Sequence, residues 1–159
     1  MRHPYPKTGD PILPENTHKH VDRLFLDTNI VLDFLQKREP YFEDAKSVFA
    51  LSMGKQFRLY VSDITFSNIA FICRKSFDPQ KLHDLFILLR KFVEVVGADN
   101  EVIDMAISLR AKDFEDAVQY CSAMKAKADC ILTRNPKDFP FGLLPVYSAS
   151  EFLNTRFRR

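Results

Sequence analysis

The sequence predicts an α/β fold built on a parallel sheet of four to five strands, and three observations carry that prediction. Short apolar runs recur at Leu24–Leu26, Phe57–Val61, Phe92–Val96 and Cys130–Leu132, each too short for a helix. Between them lie stretches with apolar residues at helical spacing, the alternation expected of βα units. The chain has 159 residues and is 46% hydrophobic, enough for one sizeable core and too little for two ordinary domains.

Residues 1–22 carry Pro4, Pro6, Pro11 and Pro14 with few large apolar side chains, so they read as a flexible N-terminal arm ahead of a single domain at 23–159. The first strand, Leu24-Phe25-Leu26, runs into Asp27 and Thr28, either of which can cap a helix carrying Ile30, Val31, Phe34 and Leu35 up to Glu39-Pro40. A second helix, Phe42–Met53, places Ala45, Val48, Phe49 and Ser52 on one stripe and stops near Gly54. After the strand Phe57–Val61, Ser62 or Asp63 begins a helix to about Lys75 with Ile64, Ile69, Ile72 and Cys73 turned inward. Asp78-Pro79 opens another through Leu82, Leu85, Phe86 and Leu89. The strand Phe92–Val96 follows. Asp99 then caps a helix carrying Val102, Ile103, Ala106 and Leu109, and Asp113 caps the next, carrying Phe114, Ala117, Val118 and Cys121. Cys130–Leu132 is a short buried strand, Leu144-Pro145-Val146-Tyr147 an edge strand, and Ser148 or Ser150 caps a last helix around Phe152.

Composition excludes several classes of function. Three cysteines without CxxC spacing do not make a disulfide framework, and a reducing cytoplasm suits them. No run approaches the ~20 apolar residues of a membrane span, and the start shows no apolar core of a secretion signal. A net charge of +2 says nothing about nucleic acid, which responds to where charge is placed.

Ligand sites in open α/β sheets lie beyond the carboxyl ends of the strands, and three oxygen-rich clusters fall at such places. Asp27-Thr28-Asn29 follows the first strand, Asp113-Phe114-Glu115-Asp116 opens the helix that leads into the fourth, and Thr133-Arg134-Asn135-Pro136-Lys137-Asp138 follows the fourth. Carboxylate and amide oxygens suit hard cations such as Mg²⁺, with Mn²⁺ as an alternative. The four histidines show no ligand spacing near these clusters, which argues against zinc. A bound Mg²⁺ acidifies water and offsets charge on a phosphodiester, and Arg134 and Lys137 can hold neighbouring phosphates. Each residue also has a plainer reading. Asp27 can be a helix cap, Asp113 with Asp116 a capping box, Glu115 a solvated acid, and Asn135-Pro136 with Asp138 ordinary turn chemistry. The coincidence of all three clusters at one end of one sheet favours the site.

The segments LFLDTNIVLDFL, VSDITFSNIAFICRK, DFEDAVQYCSAMKAKADCILTRNPKDF and LPVYSASEFL, spanning Arg23 to Leu153, resemble a PIN domain. The resemblance implies an α/β/α sandwich and a metal-dependent endoribonuclease that leaves a 5′-phosphate. It implies membership among the toxins of bacterial type II toxin–antitoxin pairs, with RNA as substrate, a cognate antitoxin as partner and a homodimer as the working form. Position by position it makes Asp27 the first acid, Asp116 the third, Asn135 with Asp138 the group after the last core strand, and Asp113 an auxiliary acid. Thr133 and Asn29 are supporting residues beside them. The second acid is replaced by Asn68, whose amide accepts or ligates weakly but adds no charge. Two readings therefore remain open: an active ribonuclease in which Asp113 compensates, or an impaired domain that binds RNA or protein without cutting. Phe66, Phe71 and Phe77 are candidates for a dimer face.

Overall fold

Five strands, β1 (Arg23–Leu26), β2 (Arg58–Ser62), β3 (Val93–Val96), β4 (Cys130–Leu132) and β5 (Val146–Tyr147), form one sheet in the order β3-β2-β1-β4-β5. All four pairings are parallel. The computed structural model describes residues 23–157, so the arm expected at 1–22 lies outside the described residues. Seven α-helices occur among those residues: α1 (Thr28–Leu35), α2 (Phe42–Met53), α3 (Ile64–Cys73), α4 (Pro79–Leu89), α5 (Asn100–Leu109), α6 (Phe114–Lys125) and α7 (Ala149–Arg156).

The three layers follow from side-chain alternation along the strands. Leu24 and Leu26 of β1 join Leu59, Val61, Cys130 and Leu132 on one face, against Ile30 and Val31 of α1, Val48 and Phe49 of α2, Ile69 of α3, Leu89 of α4 and Phe152 of α7. Phe25, Tyr60 and Ile131 point the other way, onto Val102 and Ala106 of α5 and Ala117, Val118 and Cys121 of α6. With helices on both faces, Leu24, Phe25 and Leu26 are all fully buried, which is why β1 reads as a continuous apolar run. Burying one such side chain contributes about 1.5–3 kcal/mol.

Helix starts follow the sequence closely. Asp63, Asp78, Asp99 and Asp113 each accept a backbone N–H at the head of α3, α4, α5 and α6. Ser148 opens α7 with a reciprocal capping box to Glu151. One inward assignment is corrected, and one apolar residue carried by a helix turns outward. Ile72 is 43% exposed because the buried stripe of α3 runs through Ile69 and Cys73, one turn apart, and Ile72 falls beside it. Phe114 is 49% exposed as the first residue of α6, whose buried stretch begins only at Ala117. Of the three phenylalanines offered for a dimer face, Phe66 packs on Phe86 and Phe77 against the core, leaving only Phe71 exposed.

From β1 the chain winds outward through β2 to β3 with α1–α4 on one face, then returns across the other face through α5 and α6 to β4 on the far side of β1. The winding reverses between β1 and β4. Their carboxyl ends form the crevice where parallel α/β sheets place ligands. No helix among the described residues is long and apolar enough to cross a membrane.

Candidate active site

Asp27 stands at this crevice, its backbone N–H donating to the Leu132 carbonyl at 2.9 Å, so that the ends of β1 and β4 are locked in register. It occupies the N-cap position of α1, yet its side chain makes no capping bond. Instead Oδ1 accepts from Gln119 Nε2 at 2.8 Å and Oδ2 from Thr133 Oγ1 at 2.8 Å. The capping role is thus not what this side chain does. Its carboxylate is 7% exposed, and both partners are fully buried.

The loop after β4 is tied to the same point. Thr133 Oγ1 also accepts from the Asn135 backbone N–H at 3.3 Å, while Asn29 Oδ1 accepts from the Arg134 N–H at 3.2 Å. Asn135 precedes a 3-10 turn, Pro136–Asp138, that carries Lys137 and Asp138 over the crevice. Across from it, Asp113 Oδ1 accepts from the N–H groups of Glu115 and Asp116 at 2.9 and 3.2 Å. Asp113 is therefore a true cap, and its bonds also turn Asp116 toward the crevice. A cleft of about 450 Å³ is lined by Asp113, Asp116, Asp138, Lys112 and Lys137. A larger groove, about 1080 Å³, lies at the opposite ends of the strands beside Arg23, Arg58 and Phe92, away from every clustered acid.

Electrostatics couples the acids that the sequence singled out. Burial drives the Asp116 carboxyl up to about 7, and repulsion from Asp113, Asp27, Asp138 and Glu115 adds to the rise. Asp27 is raised by burial and by Asp138, against the lowering effect of its bonds from Thr133 and Gln119. Glu115 is raised by burial, Asp27 and Asp113, against bonds from Gln119 and Asn68. Five carboxylates thus press on one another. Perturbation of this kind, in a cleft at a strand crossover, makes this the candidate functional site.

Three residues of this arrangement carry no role in the sequence reading. Gln119, a fully buried amide, lies one turn beyond Glu115 and Asp116, and that spacing was its available signal. Glu115, read as solvated, is exposed but accepts from Asn68 Nδ2 at 2.6 Å, which brings Asn68 to the acid cluster. Asp33 is a buried acid inside the apolar helix α1, and it holds the Arg134 guanidinium through Nε at 3.0 Å and through Nη2. Arg134 also stacks on Tyr41, 4.1 Å from its ring centroid. Its cationic head is committed to Asp33 and Tyr41, whereas Lys137 lines the cleft.

No three metal-ligating side chains among the described residues converge into a ready-made cage. The donor chemistry nevertheless fits a divalent ion. The groups are all oxygen, they carry mutually repelling charge, and Gln119 Oε1 is a buried acceptor with no hydrogen-bond partner among the described residues.

A family model described as PIN domain matches residues 23–137, which is most of the chain. The chain belongs to the PIN domain family. No curated protein matches it. Among solved structures, a chain of a toxin–antitoxin complex from Klebsiella pneumoniae superposes with a TM-score of 0.62 at 21% identity, covering 79% of this chain and 97% of that one. A chain of VapBC-1 from nontypeable Haemophilus influenzae gives 0.62 at 21% identity, covering 80% and 98%. VapC20 from Mycobacterium tuberculosis, a Sarcin-Ricin loop cleaving toxin, gives 0.61 at 14% identity, covering 75% and 95%. This PIN domain therefore shares the fold of VapC toxins.

Proposed function

We propose that this PIN domain is a divalent-metal-dependent endoribonuclease, the toxin of a toxin–antitoxin pair, acting through Asp27, Asp116, Asp113 and Asp138. The observation that carries this reading is the buried carboxylate of Asp27 at the β1/β4 crossover, held at both oxygens and coupled in charge to the acids at the head of α6. A bound Mg²⁺ or Mn²⁺ supplies the Lewis acidity that activates water and offsets charge on a scissile phosphate. Asp27 and Asp116 are the residues that hold it. Asp113 fixes the first turn of α6 and so the direction of Asp116, while Thr133 fixes the carboxylate plane of Asp27. Lys137 and Lys112, on the cleft wall, bind flanking phosphates and position the strand.

The antitoxin and a homodimer partner belong to the same proposal. Phe71 and Ile72 on α3, with Ile87 and Leu88 on the adjacent α4, expose apolar surface suited to either. The direct test is cleavage of labelled structured RNA with Mg²⁺ or Mn²⁺ against EDTA. Metal-dependent products that vanish in Asp27→Ala and Asp116→Ala variants support the nuclease. Binding of RNA without cleavage in either metal rejects it and leaves the impaired domain.

A further inference from the structure

Glu115 stands at a junction that the nuclease reading leaves without a role. Its Oε1 accepts from Asn68 Nδ2 of α3 at 2.6 Å and from Gln119 Nε2 at 3.4 Å. The same Gln119 nitrogen donates to Asp27 Oδ1 at 2.8 Å. Side chains from three elements therefore line up as Asn68, Glu115, Gln119 and Asp27, and one amide bridges the two carboxylates.

Gln119 is 0% exposed, and its Oε1 has no donor among the described residues. Turning the amide over would aim that oxygen at Asp27, so the nitrogen-to-carboxylate orientation is the favourable one. A buried carbonyl oxygen left without a donor is destabilising unless something electropositive reaches it. The nitrogen of the same amide is the atom held between the two acids, and it sets the Asp27 and Glu115 carboxylates on one common donor.

We infer that Glu115 is a metal-holding carboxylate of this site, oriented by Asn68 across the α3–α6 contact and joined to Asp27 through Gln119. The contact explains why position 68 bears an amide. Two carboxylates 2.6 Å apart repel, so charge can occupy one side of the contact only. An amide on the α3 side donates to the acid instead of opposing it. Glu115 is also solvent-facing, so it can engage an ion that the buried Asp27 reaches only from within.

The inference rests on the nuclease reading for its ion, and the test separates the two. Mn²⁺ binding to the full chain, followed by electron paramagnetic resonance of free Mn²⁺, is measured for wild type, Glu115→Gln, Asp27→Asn and the exchange variant Asn68→Glu/Glu115→Gln. Glutamine keeps an acceptor for Asn68 and removes only charge, so melting in EDTA should be unchanged. The expected result is at least about tenfold weaker Mn²⁺ binding in Glu115→Gln, a loss of the kind that follows removal of ligand charge, and recovery in the exchange variant. Wild-type affinity in Glu115→Gln alongside a loss in Asp27→Asn overturns the role of Glu115 and leaves the nuclease reading intact. The expected Mn²⁺ pattern without RNA cleavage by the wild type overturns the nuclease reading and leaves the inference standing. Absence of Mn²⁺ binding by the wild type overturns the inference.

Discussion

The guanidinium of Arg134 lies on the carboxylate of Asp33, 101 residues earlier, and this pair joins the loop after β4 to the buried side of α1. Asp33 is 1% exposed, and the guanidinium is the cation paired with it. Replacing Arg134 with Ala should cost about 3 kcal/mol, because it strands a buried carboxylate. Lys in its place should recover only part of the loss, since a point charge cannot reproduce the two-pronged contact. Urea unfolding of the two variants checks both statements. An Arg134→Ala protein as stable as wild type would show that the pair contributes nothing, and Arg134 would become available for RNA.

Asp27 separates stability from activity. Its buried carboxylate is disfavoured by desolvation, so Asp27→Asn removes a charge the metal-free fold carries at a cost. The variant should melt in EDTA at or above the wild-type temperature while RNA cleavage falls by about three orders of magnitude, an expectation scaled to the loss of one central electrostatic group. Thr133→Val should lower cleavage about tenfold to a hundredfold by freeing the carboxylate plane, with little change in melting. Equal losses for both variants would contradict a positioning role for Thr133.

Much of this was legible in the sequence because it is local. Caps such as Asp78, Asp99 and Ser148 act within three residues, and the strand Cys130–Leu132 announces itself by three consecutive buried apolar residues. Ile72 was misplaced because α3 is apolar nearly all round, so periodicity gave no sharp inner stripe. Gln119 and Asp33 were invisible for another reason: their partners Asp27 and Arg134 lie 92 and 101 residues away, brought close by the packing of α6 on the sheet in the first case and by the β1/β4 pairing in the second. The acids of the site could be named from strand ends. Which hydrogen bond each one makes could not.

Asp116 gives the metal-free protein a definite pH response. Its carboxyl titrates near 3.8 in an unfolded chain and at about 7 in the fold, so between those values the folded state binds more protons than the unfolded state. Stability must then be greatest at the acid end of the window and decline as pH rises toward 7. Urea unfolding in EDTA at pH 5 and pH 7.5 should show the decline, and Asp116→Asn should flatten it. Mn²⁺ should raise the midpoint more at pH 7.5 than at pH 5, since ligands must be deprotonated to bind. A flat profile in the wild type would remove the coupling among the acids.

The three cysteines supply a readout of opening from the core. Cys73, Cys121 and Cys130 are free and buried, and burial raises all three thiols, Cys130 to about 12. Only the thiolate reacts readily, so at pH 8 the folded protein should be nearly inert to a thiol-exchange reagent such as DTNB. Unfolding in urea should release three equivalents. Labelling in the absence of urea then reports how often the sheet opens, since Cys130 lies on β4 within the β1/β4 pairing that carries Asp27. A divalent ion held by Asp27 and Asp116 spans β1 and α6, and stabilises the closed state by its binding free energy. Mn²⁺ should therefore slow labelling of Cys130 in the wild type and leave it unchanged in Asp27→Asn. Rapid labelling of the native protein, or slowing by Mn²⁺ in both proteins alike, would break the link between the core strand and the ion.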